Sequence, residues 1–427
     1  MLVIGVLFIR HAGMDYGGTP SRRWLTQVVW IGVGLGVYLA AALADYRKVG
    51  SFSFLIYALG LALLIFTLAA GAYVNGARCV IKFGEGLALQ VSEVTKPMVM
   101  LFMAWLLSHP VLRYLSFPSE LLWGVFTGIP ILLVALEPDW GTALVYFPFS
   151  FAILFVNRLT WKGCCAMLLC ALLVMPFLFS HLKPYQKIRL FVFAREPLEV
   201  MATHMEKRHA DAAAFIRNWL DRQMEKLDSE RTGLEEPASA TASNGEPKLL
   251  VSPSATTPPK SSQRAAAKRE LDDWNARQAF LTVSSGRISG KGYGKGTMHT
   301  LGYLPRYVAS TDFIFAVIAE ETGLLGSSVV LLLLLAVILL ACRTAWRAQD
   351  GFGASLAVGA AVLYTTHICI NVGMSVGWAP IIGIPLPFVS YGGSFMVGIM
   401  AVAGLVQNVH IHTLPKKEEK EDELDGQ

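Results

Sequence analysis

An acidic residue stands at the head of an apolar run in the segment STDFIFAVIAEETG, residues 310–323. Asp312 follows Ser310 and Thr311 at the expected start of a helix, where a carboxylate can cap the helix and interact with its dipole. The dipole lowers the pKa of such a carboxyl group, whereas burial raises it, and the three apolar residues after Asp312 offer a surface for burial. The sequence thus leaves two interpretations of Asp312 open, a helix cap and a desolvated base.

Two further carboxylates, Glu320 and Glu321, lie later in the same segment and fall on different faces of a helix. Gly323 separates them from the charge-free run 324–342, which has the length of a membrane span. We therefore expect residues 311–322 to form an amphipathic helix at the outer membrane interface that leads into the span. In that position the acids would lie at the water boundary and not at the bilayer centre.

A second charged cluster lies in QVSEVTKP, residues 90–97. Glu93 and Lys96 are three residues apart, so they share one face of a helix at the edge of a span, with Ser92 as the expected N-cap. One interpretation is an ion pair that anchors the helix at the interface. Ionisable groups at membrane depth are costly and usually face a cavity or a partner, so a functional pair is the other interpretation.

The turn EPDWGT, residues 137–142, places Glu137 and Asp139 between two apolar runs. Asp139 is suited to cap the helix that begins near Gly141. The motif alone does not separate this capping role from a functional one.

The segment IGIPLPFVSYGGS, residues 382–394, contains two prolines and two adjacent glycines beside Ser390 and Tyr391. Broken helix at membrane depth is tolerated only where it packs within the protein or lines a cavity. We interpret this segment as architecture in the first place and as chemistry in the second.

The run GKGYGKGT, residues 290–297, resembles a phosphate-binding loop in composition only. A Walker loop requires Ser or Thr directly after its Gly-Lys pair, whereas Gly296 follows Lys295. We therefore predict a tight surface loop in which the glycines adopt positive φ angles.

Long apolar runs surround these motifs. The 427 residues are 54% hydrophobic and 16% charged, a balance outside the range of soluble globular proteins. The runs predict an all-α polytopic membrane protein with about ten transmembrane helices. They cover residues 2–9, 24–44, 52–72, 92–108, 117–136, 140–157, 163–182, 324–342, 354–378 and 388–409. The first run is too short to cross a hydrocarbon core of about 30 Å, which leaves open a start upstream of Met1.

Basic residues in the short loops favour a cytoplasmic amino terminus, with ten Lys and Arg on the inner side and five on the outer side. Arg22 and Arg23 oppose this rule because they would lie outside. In this orientation a transmembrane domain spans residues 1–412, contains one long extracytoplasmic loop at 183–310, and ends in a cytoplasmic charged tail at 413–427. Ser, Pro, Ala and Thr dominate residues 235–263, which predicts a disordered insertion within that loop.

Composition also excludes several classes of site. The net charge of +5 is spread over the loops, so no nucleic-acid partner is indicated. The six cysteines form no C-x-x-C pair, so neither a zinc site nor a disulfide framework is predicted.

Taken in order, the motifs resemble the SEDS family (shape, elongation, division and sporulation) of polytopic peptidoglycan glycosyltransferases. The pieces that carry the resemblance are SEVTK, EPDWGTAL, YQKIR, GKGYGKGT, LGYLPR, TDFIFAVIAEE, NVGM and PLPFVSYGGS, between residues 92 and 394. The phrase VIAEE and the glycine spacing are most similar to the elongation, RodA-like branch, and the division, FtsW-like branch is the alternative. The chain departs from the family pattern at Cys79, Val91, Ser310 and Thr322.

The resemblance implies a function. SEDS proteins polymerise lipid II, the undecaprenyl-pyrophosphate disaccharide pentapeptide, into nascent glycan at the outer face of the bacterial cytoplasmic membrane, together with a class B penicillin-binding transpeptidase. It implies that Asp312 is an essential acid, with Glu93 and Lys96 as further catalytic residues, and our hypothesis is that Asp312 acts as the general base. No cofactor is firmly implied, and a divalent cation, Mg²⁺ or Mn²⁺, stays open. The implied substrate-binding residues are Asp139, Arg189, Arg306, Ser390 and Tyr391, with Lys96, Arg189 and Arg306 as cations for the pyrophosphate.

Two other functions use the same features differently. A lipid II flippase would use the buried ions of a cavity without bond chemistry, as proton-coupled carriers do. A membrane scaffold would only recruit the transpeptidase, so its acids would be dispensable. Transfer of the substrate to a growing glycan distinguishes the three.

Overall fold

The computed structural model describes residues 1–13, 22–74, 77–82, 88–110, 119–158, 274–275, 277–298, 300–304 and 306–413, with a few isolated residues between them. The chain divides into two compact units, Met1–Met167 with Ala276–Gln427, and Leu168–Asn275. Nearly all described residues belong to the first unit. Several predictions fall outside the described residues, namely the span 163–182, Arg189, the insertion 235–263 and residues 414–427 of the charged tail.

The first unit is built almost entirely of helices. Their bounds are α1 Leu2–Ala12, α2 Arg23–Leu43, α3 Tyr46–Ser51, α4 Ser53–Ala70, α5 Val91–Ser108, α6 Ser119–Leu136, α7 Trp140–Arg158, α8 Arg306–Ser310, α9 Ile314–Arg347, α10 Gly351–Ser375 and α11 Gly393–Thr413. In the described part of the chain, eight of them (α2, α4 to α7 and α9 to α11) are long and apolar enough to cross a membrane. The prediction of an all-α polytopic membrane protein is confirmed. The first helix has 11 residues and stays short, as the sequence indicated.

The helix α5 lies at the centre of this bundle. Most of its residues are buried, and it packs against α4, α7, α10 and α11. By contrast, α4 and α6 expose large apolar side chains along much of their length, as lipid-facing helices do. Charged residues on α5 are therefore enclosed by protein and not by lipid.

Two ends of the bundle can be distinguished by the direction of its helices. Arg23 and Asp312 stand at or just before the starts of α2 and α9, whereas Arg47 and Asp350 follow the ends of the same two helices. We call these the Asp312 end and the Arg47 end.

A small antiparallel sheet joins α4 to α5. Its strands are β1 Ala72–Val74, β2 Ala77–Lys82 and β3 Ala88–Gln90, in the order β1-β2-β3. β2 pairs with both neighbours, and the register places Val80 opposite Gln90 of β3. These strands are not predictable from the sequence, because they are short and lie between two strongly apolar helices.

The helix α9 is interrupted at Gly323, whose φ of 66° and ψ of −165° are not helical. The predicted boundary at this glycine is confirmed. The prediction of an amphipathic interfacial helix before it is wrong, because every side chain from Ile314 to Glu321 is buried. Glu320 and Glu321 are 0% and 1% exposed, so they do not lie at a water boundary.

The buried acids hold the glycine-rich loop. One carboxylate oxygen of Glu320 accepts hydrogen bonds from the backbone N–H groups of Thr297 and Met298 at 2.8 and 3.0 Å, and forms an ion pair with Lys291. Glu321 accepts from the N–H of Gly294 at 3.0 Å. Three of the four loop glycines, at 290, 292 and 294, have positive φ, which confirms the predicted tight loop. These glutamates therefore contribute to architecture.

Candidate active site

Asp312 lies in the turn between α8 and α9. Its backbone N–H donates to Val308 O, and Phe313, without a side-chain capping bond, is the N-cap residue of α9. Asp312 is therefore not the cap of this helix, and that interpretation is wrong. Its flanking residues Thr311 and Phe313 are buried while Asp312 itself is partly exposed. Burial raises the pKa of the Asp312 carboxyl group to about 6, against the opposing effect of a hydrogen bond from Thr311.

The carboxylate of Asp312 faces the loop before α11. A Cβ atom added to Gly383 would lie 3.3 Å from Asp312 Oδ2, and Gly383 is exposed with a φ of 77°. A side chain at position 383 would therefore cover the carboxylate. Asn371 on α10 links the Asp312 turn to the loop that contains Gly383. Its Nδ2 donates to Asp312 O at 2.8 Å and to Ile384 O at 2.7 Å.

Ser390 and Tyr391 lie against the same turn. The Ser390 hydroxyl donates to Thr311 O at 2.6 Å and accepts from Leu386 N at 2.8 Å, and the residue is fully buried. The backbone N–H of Tyr391 donates to Ser310 O at 3.0 Å. These contacts serve the architecture of the turn, as the sequence favoured, and a substrate-binding role for the two residues stays a prediction.

Glu93 and Lys96 form the ion pair that their spacing predicted. Lys96 Nζ lies 2.8 and 2.9 Å from the two carboxylate oxygens of Glu93, and both side chains are almost fully buried within the bundle. Thr142 on α7 adds a hydrogen bond to Glu93 Oε1 at 3.4 Å. The pair is enclosed by protein and does not anchor the helix at a water boundary.

His367 on α10 is a third member of this cluster that the sequence analysis missed. Its Nε2 lies 3.3 Å from Lys96 Nζ, and its Nδ1 lies 3.2 Å from Pro385 O. Because an ammonium group only donates, Nε2 is assigned as acceptor and Nδ1 as the protonated nitrogen that donates to Pro385. His367 thereby joins the ion pair to the loop that faces Asp312. Its spacing of four from Asn371 on one helix face was the available signal.

Asp139 caps α7 and also binds α5. Its Oδ1 accepts from Thr142 N at 3.2 Å, which confirms the predicted cap. Its Oδ2 accepts from Gln90 Nε2 at 2.7 Å and from Ser92 Oγ at 3.3 Å. Ser92 therefore lies inside the first turn of α5 and is not the predicted N-cap, since Gln90 holds that position.

Glu137, two residues earlier, is fully buried and outside the long helices. Neither of its carboxylate oxygens has a hydrogen-bond partner among the described residues. Burial, followed by the nearby charge of Asp139, raises the pKa of Glu137 to about 8. The side chain is therefore mostly protonated at neutral pH.

Arg23 is the second residue that the sequence analysis missed, since it counted only as an exception to the charge rule. Its guanidinium donates to Ser310 Oγ at 3.2 Å and lies 4.8 Å from the ring centroid of Tyr307 and 5.9 Å from that of Tyr391. A basic side chain thus stands beside the Asp312 turn.

The structure does not place the other two predicted phosphate-binding residues, Arg189 and Arg306, at this site. Arg189 lies outside the described residues, and the side chain of Arg306 is not described either. Within the described ranges, no group of three or more His, Cys, Asp or Glu side chains is arranged to hold a metal ion. The divalent cation that the sequence left open stays a prediction.

Known proteins resemble this chain over nearly its whole length. RodA of Treponema pallidum (strain Nichols), a peptidoglycan glycosyltransferase, is 30% identical over 429 residues, which cover 96% of this chain and 95% of that protein. MrdB of Escherichia coli (strain K12), also a peptidoglycan glycosyltransferase, is 28% identical over 96% of this chain and 91% of its own length.

Solved structures show the same fold. A chain of a peptidoglycan synthase complex that coordinates polymerization and crosslinking has a TM-score of 0.65 at 22% identity, with 97% of both chains covered. The crystal structure of Thermus thermophilus RodA has a TM-score of 0.58 at 21% identity and covers 97% of this chain and 94% of that one.

The family match itself comes in two parts. Residues 1–201 and 263–414 match the family FTSW_RODA_SPOVE, described as Cell cycle protein. The unmatched stretch between them includes nearly all of the predicted insertion 235–263. Because the two matched parts make up most of the sequence, this chain belongs to the FTSW_RODA_SPOVE family of cell cycle proteins.

Proposed function

We propose that this chain polymerises lipid II into glycan strands at the outer face of the bacterial cytoplasmic membrane during cell elongation. The names of its relatives support glycan transfer, and the RodA and MrdB relatives support the elongation branch. The single observation that carries the proposal is Asp312, a partly exposed residue whose carboxylate lies beside Gly383 and forms no ion pair within the described part of the chain.

The proposed reaction is one displacement at a sugar carbon. Asp312 removes the proton from the 4-hydroxyl group of the acceptor sugar while that oxygen attacks the anomeric carbon of the lipid-linked donor. The new glycosidic bond forms as the bond from the anomeric carbon to the diphosphate oxygen breaks, and the diphosphate leaves with the electron pair. A single attack from the opposite side inverts the configuration at that carbon.

The raised pKa of Asp312 suits this role. A carboxylate with a pKa of about 6 is mostly deprotonated at neutral pH, and it binds a proton more readily than an ordinary aspartate does. Gly383 carries no side chain that would cover the carboxylate from that side. Asp312 therefore has the protonation state that a general base needs at neutral pH, and no side chain at position 383 covers it.

We assign Glu93 and Lys96 to positioning and not to contact with substrate. Their charges neutralise each other inside the bundle, and the Lys96 ammonium group donates its hydrogen bonds to Glu93 and His367. Through His367 and Pro385 the pair is connected to the loop that faces Asp312. The ion pair thus supports the shape of the site around the base.

The proposed partner is a class B penicillin-binding transpeptidase, which would crosslink the glycan as it forms. The similar chain from a synthase complex that coordinates polymerization and crosslinking supports this proposal. The exposed apolar faces of α4 and α6 offer lipid or a partner helix a surface of matching polarity.

The test is polymerisation of lipid II by the purified protein with a transpeptidase partner whose crosslinking activity is blocked. We expect a ladder of glycan products from the wild-type protein. In parallel, proteoliposomes with labelled lipid II measure translocation between leaflets. Translocation without polymer would contradict the proposal and indicate the flippase, to which the buried Glu93–Lys96 pair would also be suited.

A further inference from the structure

Arg23, the first residue of α2, is built into a frame of aromatic and polar groups. The guanidinium carbon lies over the rings of Tyr307 and Tyr391, at 4.8 and 5.9 Å from their centroids, and the group donates one hydrogen bond to Ser310 Oγ. Two aromatic faces favour a cation at this position. The side chain is partly buried, so its orientation is set by the protein.

The frame is attached to the Asp312 turn. Ser310 precedes Asp312 by two residues. The Tyr307 phenol lies close enough to Asp312 and Arg23 to interact electrostatically with both. One turn after Arg23, Gln27 donates to Ser390 O at 3.3 Å and accepts from Gly392 N at 3.1 Å. Because these bonds fix the start of α2 against the loop, the position of the guanidinium relative to the turn is fixed as well.

The charge of Arg23 has no counter-charge among the described residues. In the ranges that the structure describes, no carboxylate lies within ion-pair distance of it, whereas Lys96 is paired with Glu93 and Arg47 with Asp350. Arg23 also opposes the distribution of basic residues that favours the proposed orientation. A planar guanidinium that uses one N–H donor among the described residues, as Arg23 does, is suited to bind two oxygens of a phosphate group.

We propose that Arg23, framed by Tyr307 and Tyr391, binds the diphosphate of the lipid-linked sugar donor and holds the leaving group beside Asp312. This inference rests on the proposed function and assigns to Arg23 the cation role that the sequence gave to Lys96, Arg189 and Arg306. As the anomeric carbon–oxygen bond breaks, negative charge grows on the departing diphosphate oxygen, and the guanidinium stabilises it.

The test compares Arg23→Gln with Arg22→Gln in the polymerisation assay over a range of lipid II concentrations. Arg22 is the matched control, because it is adjacent, equally charged and exposed. We expect Arg23→Gln to raise the KM for lipid II by about tenfold or more, since hydrogen bonds to charged groups contribute on that scale. Arg22→Gln should keep the wild-type KM. An unchanged KM in Arg23→Gln would overturn the inference.

Product inhibition gives an independent measure of the same site. Undecaprenyl diphosphate should inhibit Arg23→Gln at about tenfold higher concentration than the wild-type protein. Equal inhibition of both would overturn the inference. If Arg23→Gln does not fold, Tyr307→Leu keeps the arginine and removes one face of the frame, and we expect a KM raised a few-fold. Tyr307→Leu with the wild-type KM would contradict the role of the frame.

Two further outcomes separate the possible errors. If the wild-type protein forms no polymer, the proposed function fails before Arg23 is tested. If the anion is instead a bulk phospholipid headgroup, Arg23→Gln will lose the response of activity to phosphatidylglycerol in vesicles while its KM for lipid II stays unchanged. That result would also overturn the inference.

Discussion

The two ends of the helix bundle use charge in opposite ways. At the Arg47 end, Arg47 Nε lies 3.0 Å from Asp350 Oδ2, the Tyr46 hydroxyl donates to the same oxygen, and Asp350 Oδ1 accepts from Gly353 N. At the Asp312 end, Asp312 and Arg23 form no ion pair among the described residues.

Charges that stabilise a fold are matched within the protein, whereas charges that serve a substrate are left available. The presence or absence of an ion pair therefore distinguishes the proposed functional residues Asp312 and Arg23 from Arg47 and Asp350, which are of the same residue types. It also separates Asp312 from Glu320, which is paired with Lys291 and bonded to the glycine-rich loop.

The largest expected effect comes from Asp312→Asn. The amide keeps the shape of the carboxylate and cannot accept the proton, so kcat for polymerisation should fall by about 10² to 10⁴. Asp350→Asn is the matched change at the Arg47 end. It should leave kcat within about twofold, because the described hydrogen bonds of Asp350 with Tyr46 and Gly353 lie at the other end of the bundle from Asp312. Near-normal kcat in a folded Asp312→Asn protein would make the base assignment wrong.

The next effect is on stability and comes from Lys96→Met. Removal of the ammonium leaves Glu93 buried without its counter-charge, which costs about 3–5 kcal/mol in comparable cases. We expect a clearly lower midpoint of thermal unfolding in detergent. The double variant Glu93→Gln with Lys96→Met should recover much of the loss. A Lys96→Met protein as stable as wild type would show that Glu93 is not charged in the fold.

The smallest effect is expected for Arg47→Ala. About half of the Arg47 side chain is exposed (47%), and exposed ion pairs contribute about 0–1 kcal/mol. The unfolding midpoint and the rate of polymerisation should therefore both stay close to the wild-type values. A loss of activity without a loss of stability would mean that the Arg47 end also serves the reaction.

The long helices could be predicted from the sequence because membrane spans require continuous apolar runs that no short-range interaction can imitate. Gly323 and the loop glycines 290, 292 and 294 were predictable for a similarly local reason, since positive φ angles favour glycine. The Glu93–Lys96 pair followed from helix geometry alone.

The rest depends on contacts between distant segments. Glu320 is buried because residues 291–298 fold onto it, and nothing near position 320 reveals this. Arg23 lies 287 residues from Ser310 in the chain, and His367 lies 271 from Lys96. Neither contact can be predicted from the sequence, because only tertiary packing makes Arg23 a neighbour of Ser310 and His367 a neighbour of Lys96. The strands β1 to β3 could not be predicted, because the formation of such short strands depends more on their pairing with each other than on the intrinsic strand propensity of their residues.

The most direct test of Asp312 as an available base is the pH dependence of kcat/KM for lipid II polymerisation. The base must be deprotonated, so with a pKa of about 6 the rate should be level above that pH. It should fall about tenfold per pH unit below it. The residual activity of Asp312→Asn should lack this dependence. A wild-type rate that stays level down to about pH 5, or a slope that persists in Asp312→Asn, would contradict the account.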